Sequence, residues 1–278
     1  MAEQVLIGRK AVVTGASRGI GAAVAQRLAA EGADVAVVAR TEDHHDHLPG
    51  SLRETAAQAS TYGRRVAVIK ADLARAEDRS RIVPEAVEAL GGPIDILVNN
   101  AAAAIYAPLA TYPLRRRLIT FEVNVHAPLD LAHDVLPGMI ANGQGWIVNV
   151  SSATARLSVG PPFDQSPPGS TMGIYGASKA ALNRLTNALA QELWGTGVRV
   201  NTVQPRTGVA SEGAQELVGA LVDTSDWESM EAMVEGIVVL CHCPPEMTGG
   251  IEVSTDLVSR FVGTVRGLDG EVLAAGGE

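Results

Sequence analysis

The chain has 278 residues, long enough to bury about three quarters of its unfolded surface with no disulfide or metal staple. Lys and Arg number 22 against 31 Asp and Glu, a net charge of −9, which is the wrong sign for a nucleic-acid or anionic-membrane partner. Hydrophobic residues at 46% and charged residues at 19% exclude a disordered chain.

An apolar run at 11–14 predicts a first strand, which leads directly into Thr14-Gly15-Ala16-Ser17-Arg18-Gly19-Ile20-Gly21 and a helix over 21–30. Glycines in such a turn let the backbone approach a pyrophosphate, and the helix N-terminus offers free N–H groups and a positive dipole end. A glycine turn that binds nothing is the plain alternative, and its position after an N-terminal apolar strand argues against it. The second strand, 35–39, runs into Arg40 and Thr41, where an NAD site needs a carboxylate for the ribose 2′-hydroxyl. Arg40, together with Arg18, suits a 2′-phosphate instead, so NADP is the expected cofactor, with NAD possible. The loop at 41–50 carries His44, His45 and His47 around Asp46, away from the chemistry, and no metal is expected there. A helix over 52–62 and a strand over 66–70 follow, then Asp72-Leu73, where Asp72 reads either as a ligand contact or as a cap for the helix over 76–90.

The fourth strand, 94–98, ends in Asn99-Asn100-Ala101-Ala102. One long helix is predicted over 113–139, with Asn124 in its interior, where an Asn is disfavoured unless its side chain has a task. The strand at 146–150 ends in Ser151-Ser152, placing a hydroxyl at a strand C-terminus, where open α/β sheets bind ligands. A loop at 158–173 with four prolines and three glycines predicts a stiff flap beside that end. In the helix over 175–194, Tyr175 and Lys179 lie four apart and share a face. An ammonium there would lower the phenol's pKa from about 10 and make Tyr175 a proton carrier. Alone, Tyr-x-x-x-Lys is better read as a surface pair; the Ser-Ser strand end and the glycine turn reverse that weighting. A strand at 198–203, a loop at 205–213, a helix at 227–240 and a weak strand at 251–253 complete the pattern. Strands that are nearly continuous apolar strings, alternating with helices, predict a doubly wound parallel sheet of about seven strands with helices on both faces, in a single domain.

The loop Thr14-Gly15-x-x-x-Gly19-x-Gly21 matches in full the glycine motif of the short-chain dehydrogenase/reductase family, and the chain resembles that family over about residues 8–253. Asn99-Asn100-Ala101-Ala102 is similar to the family's N-N-A-G, with Ala102 in place of Gly. The resemblance implies a Rossmann fold and a catalytic tetrad of Asn124, Ser152, Tyr175 and Lys179, with Asn124 positioning water for a proton relay. It implies cofactor contacts from Gly15, Ser17, Arg18, Gly19, Ile20 and Gly21 in the turn, and from Arg40 and Thr41 after the second strand. Asp72, Leu73, Asn99 and Ala101 would follow from the next two strand ends, and Tyr175, Lys179, Pro205 and Thr207 from the far half. Its members act on small alcohol or carbonyl substrates and form dimers or tetramers, and the helix over 175–194, apolar on most faces, suits a second subunit.

Two departures stand out. Ser152 and Tyr175 are separated by more residues than is usual in the family, which leaves Ser158 and Ser170 as alternative catalytic serines. The family's Pro-Gly after the sixth strand becomes Pro205-Arg206-Thr207-Gly208-Val209-Ala210-Ser211. That string and Leu48-Pro49-Gly50-Ser51-Leu52 resemble hydroxysteroid-dehydrogenase-like and citronellol-dehydrogenase-like proteins, which implies an apolar substrate. A non-catalytic NADP(H)-binding sensor or scaffold is the alternative function, disfavoured by the intact Ser, Tyr and Lys. An acyl hydrolase built on Ser152 lacks a recognisable histidine base. Cys241-His242-Cys243 is too tightly spaced for a zinc site and reads as buried thiols. Two thiols unable to staple the chain point to a reducing compartment, and the cytoplasm is expected. The uncharged run at 96–114 contains Asn99, Asn100, Pro108 and Pro113, and no membrane span is expected.

Overall fold

Strand runs that are apolar on both faces must be covered on both sides, and the chain does this by placing helices above and below one sheet. The computed structural model describes residues 4–44, 49–166, 169–211, 214 and 224–273. Seven strands, β1 (Lys10–Thr14), β2 (Asp34–Ala39), β3 (Val66–Lys70), β4 (Ile96–Asn99), β5 (Gly145–Val150), β6 (Val198–Gln204) and β7 (Ile251–Val253), pair in parallel in the order β3-β2-β1-β4-β5-β6-β7. The described helices are α1 (Gly19–Ala30), α2 (Leu52–Ser60), α3 (Ala76–Leu90), α4 (Leu114–Phe121), α5 (Ala127–Ala141), α6 (Gly173–Glu192), α7 (Met230–Leu240) and α8 (Ser254–Phe261).

Alternation along each strand divides the core in two. Val13, Val35, Val37, Val98 and Val148 pack with α1 and α7 on one side. Val12, Val38, Leu97, Ile147 and Val200 pack with α3, α5 and α6 on the other. Strand order reverses between β1 and β4, and a crevice opens there at the strand C-termini, the place where this topology binds ligands.

The predicted strands and helices match within a few residues, with one correction. The helix expected over 113–139 is broken into α4, a π-helical turn at Glu122–His126 and α5. Ala127 N–H reaches back five residues to the Glu122 carbonyl. Pro128 lacks the N–H that a regular helix would give to the carbonyl of Asn124, four residues earlier. Such π-turns are frequent at functional sites, and Asn124 lies at the centre of this one.

Candidate active site

At the crevice, Gly15 (φ +67°) and Gly19 (φ +54°) adopt left-handed backbone. A Cβ on Gly21 would come within 2.3 Å of the Gly15 carbonyl oxygen, so this glycine lets α1 lie directly against the turn. Arg18, the N-cap of α1, provides no side-chain cap, and the first-turn N–H groups keep their capacity to bind an anion. Asn100 fastens the turn to β4 by donating from Nδ2 to the Thr14 carbonyl at 2.9 Å, and Thr14 Oγ1 accepts the N–H groups of Asn100 and Ala101, both at 3.1 Å.

Beside the turn lies a cavity of ≈ 590 Å³. Gly15, Ser17, Arg18, Arg40, Thr41, Asp72, Leu73 and Ala101, all expected as cofactor contacts, line it. Arg18 donates to the carbonyls of Pro49 (3.1 Å) and Gly50 (3.4 Å), whereas Arg40 is exposed at the rim. Among the described residues Asp72 is the one carboxylate side chain that lines this cavity, and its Oδ1 is engaged by the Ala74 N–H at 3.0 Å. The amides, glycines and guanidinium groups fit a dinucleotide diphosphate with a phosphorylated ribose.

A second cavity, ≈ 390 Å³, adjoins the first along Asn100, Ala102 and Ala104, and contains Ser152, Tyr175 and Lys179 with Ile20, Pro205 and Thr207. Ser152 caps the short turn Ala153–Ala155, and its Oγ accepts from Thr154 N–H (3.2 Å) and Thr154 Oγ1 (2.9 Å). With both lone pairs taken, the Ser152 hydroxyl proton is free to point at the phenol or a substrate oxygen. Lys179 is buried, and its Nζ donates to the Val150 carbonyl at 2.7 Å and lies 5.9 Å from the Tyr175 ring centre. Loss of water pulls its pKa down to about 8.

The expected lowering of the Tyr175 pKa is not what this arrangement produces. Burial pushes the phenol above its usual range and the neighbouring Tyr106 adds to the rise, against a smaller downward pull from the Ser152 hydrogen bond. With the ammonium drawn to Val150, desolvation dominates.

Asn124 is fully buried behind the cavity wall. Its Oδ1 accepts from Ala103 N–H at 2.7 Å, and its Nδ2 donates to the Ala103 carbonyl at 3.3 Å and to Ser178 Oγ at 3.0 Å. The side chain is thus committed to protein partners. Asn99 also lies away from the cavities, with Nδ2 bonded to Asn149 Oδ1 at 2.9 Å in the sheet. Ser158 and Ser170 are exposed and line neither cavity.

The family pattern described as short chain dehydrogenase matches residues 9–218. The chain belongs to the short-chain dehydrogenase family. It is 34% identical to a ketoacyl reductase of Nostoc sp. over 79% of this chain and 68% of that protein. It is 32% identical to L-xylulose reductase of Bos taurus, over 90% of this chain and 96% of that protein. A solved 3-oxoacyl-(acyl-carrier-protein) reductase of Agrobacterium tumefaciens, with NADP bound, superposes with a TM-score of 0.75 at 28% identity, covering 89% of this chain and 93% of that one.

Several residues of this dehydrogenase's site escaped the sequence reading. Asn100, next to the expected Asn99, lines both cavities, because strand alternation turns one Asn inward and the next outward. Tyr106, whose ring centre lies 5.7 Å from that of Tyr175, and Trp227 supply aromatic wall. Gly176 is set by contact, since a Cβ there would lie 2.4 Å from the Thr154 carbonyl. Pro128, four residues after Asn124, was a readable signal for the broken helix. His45, Asp46 and His47 of the histidine loop lie outside the described residues, as do Pro167 and Pro168 of the flap. Among the described residues no helix is long and apolar enough to cross a membrane.

Proposed function

We propose that this chain is an NADP(H)-dependent oxidoreductase that interconverts the carbonyl and alcohol forms of a small, neutral, mainly apolar substrate. The observation that carries the reading is the convergence of Ser152, Tyr175 and Lys179 on a cavity continuous with the one beside the glycine turn. When bound, the dinucleotide supplies or accepts the hydride. Ser152 holds the substrate oxygen through its O–H, turned from the phenol to the substrate, and Tyr175 passes the phenolic proton to that oxygen during reduction and recovers it during oxidation. Lys179, as an ammonium, stabilises the phenolate that remains. Among the described residues Lys179 is the one charged side chain that lines the inner cavity, and Ala102, Ala104, Tyr106, Met172, Val209 and Trp227 supply its apolar surface. A neutral apolar substrate suits that surface, because burying an unpaired charge there would be costly.

The test is a screen of apolar aldehydes, ketones and steroids, following loss of the reduced-nicotinamide absorbance with NADPH and with NADH. Tyr175→Phe should bind NADPH yet lose turnover by about a hundredfold or more, in line with general acid–base catalysis. Unimpaired turnover in that variant sinks the assignment. Arg40→Asp should erase or reverse a preference for NADPH, and an unchanged ratio removes the argument from charge. The exposed Leu129 of α5 and the apolar α6 suit a homodimer or homotetramer, and a monomer mass by light scattering counts against it.

A further inference from the structure

Ser178 lies one position before Lys179 on α6 and is fully buried, pointing away from both cavities. Its Oγ donates to the Tyr175 carbonyl at 2.7 Å and accepts from Asn124 Nδ2 at 3.0 Å. A serine that bonds back to a carbonyl in its own helix is ordinary. The second bond is not local, because it crosses to the π-turn between α4 and α5.

From Asn124 the connection continues. Both ends of its amide grip Ala103, the Oδ1 accepting at 2.7 Å and the Nδ2 donating at 3.3 Å. Ala103 belongs to the segment after β4 that walls the two cavities through Ala102 and Ala104. The same segment ends at Tyr106, whose ring meets Tyr175 at 5.7 Å. A closed circuit results: Tyr175 carbonyl, Ser178, Asn124, Ala103, Tyr106 and the Tyr175 ring.

We infer that Ser178 is a positioning residue: by orienting the Asn124 amide it holds the cavity-wall segment at residues 101–106 in register with the catalytic phenol. The physical reason is donor and acceptor accounting. Asn124 has two N–H donors and an acceptor oxygen, all spent on protein partners at Ala103 and Ser178. Without the Ser178 oxygen one buried donor is orphaned, and the amide can recover only by rotating, which would break its grip on Ala103.

This inference rests on the proposed oxidoreductase reading for its kinetic arm but not for its structural arm. In the cofactor-free protein, amide hydrogen exchange across residues 101–106 should quicken about tenfold in Ser178→Ala, with β5 unchanged. Ser178→Cys keeps the volume but accepts hydrogen bonds weakly, and should behave like the Ala variant. It also carries the test if Ser178→Ala fails to fold. With a carbonyl found in the screen, either variant should lower kcat about tenfold or more, with KM and NADPH affinity within about twofold, as for an interaction that matters in the transition state. Asn124→Ala combined with Ser178→Ala should be no slower than Asn124→Ala alone, since the two act through one connection.

Unchanged exchange in both variants, a Cys variant that behaves as wild type, or losses that multiply in the double variant would each overturn the inference. If the wild-type protein turns over no carbonyl, the functional reading fails, and the exchange measurement still decides the role of Ser178.

Discussion

Lys179 keeps its ammonium in a site that removes nearly all of its water, and the folded pKa drops from 10.5 to about 8. Between those two values the unfolded chain holds a proton that the folded chain has shed, so stability of the cofactor-free protein rises with pH through that window. Below about pH 8 the full desolvation penalty opposes folding. Lys179→Met removes it at similar volume. We expect the variant to melt higher than wild type at neutral pH and to lack the rise at alkaline pH; thermal melts of both across this range would check it, and parallel curves would refute it. The four-residue spacing made the Tyr175–Lys179 pair legible in sequence. The upward direction of the Tyr175 shift was not, because it depends on how much water the fold removes and on where Nζ finds an acceptor.

At the scale of elements, two contacts decide whether those side chains meet. Gly176 lets α6 press against the Ala153–Ala155 turn, where a methyl would lie 2.4 Å from the Thr154 carbonyl oxygen, far inside contact distance. Gly176→Ala must therefore push apart the two elements that carry Tyr175 and Ser152. A displacement of about 1 Å commonly costs on the order of a hundredfold in rate. The expected result is a loss of kcat on that scale, with stability lowered by about 1–3 kcal/mol from overpacking and with NADPH affinity little changed. Wild-type kcat in Gly176→Ala, measured beside a denaturant titration, would show that the close approach is not needed. The π-turn is the second device. Its cause was present in the sequence as Pro128, but an apolar pattern running from 113 to 139 continues through an extra residue with too little change of phase to show the break.

Across the whole molecule, a buried ionic cluster ties the chain's two ends together. Arg27 of α1, fully buried, pairs with Glu31 at 2.9 Å and with Glu235 of α7 at 2.8 Å, and Arg266 pairs with Glu235 at 2.8 Å and with Glu31 at 3.3 Å. Arg27 Nη1 also donates to the Gly267 carbonyl at 3.2 Å, fastening the segment after α8 over α1. Burial alone would raise the Glu235 pKa; the hydrogen bonds from Arg27 and Arg266 outweigh it and hold the carboxyl below its usual range. A carboxyl lowered on folding contributes stability above its unfolded pKa and loses that contribution as pH falls through the folded value. Glu235→Gln leaves Arg27 and Arg266 short of a counter-charge, and we expect a loss of about 3–5 kcal/mol at neutral pH that narrows on acidification. Urea titrations at neutral and acidic pH would check it, and a neutral-pH loss below about 1 kcal/mol would place this cluster among weak ion pairs.

Local chemistry determined much of this protein before any tertiary contact was known. Apolar strings such as 35–39 and 146–150 dictated the parallel sheet, and Gly15, Gly19 and Gly21 dictated a turn open to an anion, because periodicity and backbone freedom are properties of short stretches. Only the folded chain decided that Asn100 and not Asn99 faces the crevice, that the Asn124 side chain is committed to Ala103 and Ser178, and that Arg27 lies buried between two carboxylates. Each of those outcomes depends on which distant atom lies within hydrogen-bond reach. Strand order and helix packing set those distances, and no short stretch of sequence contains them.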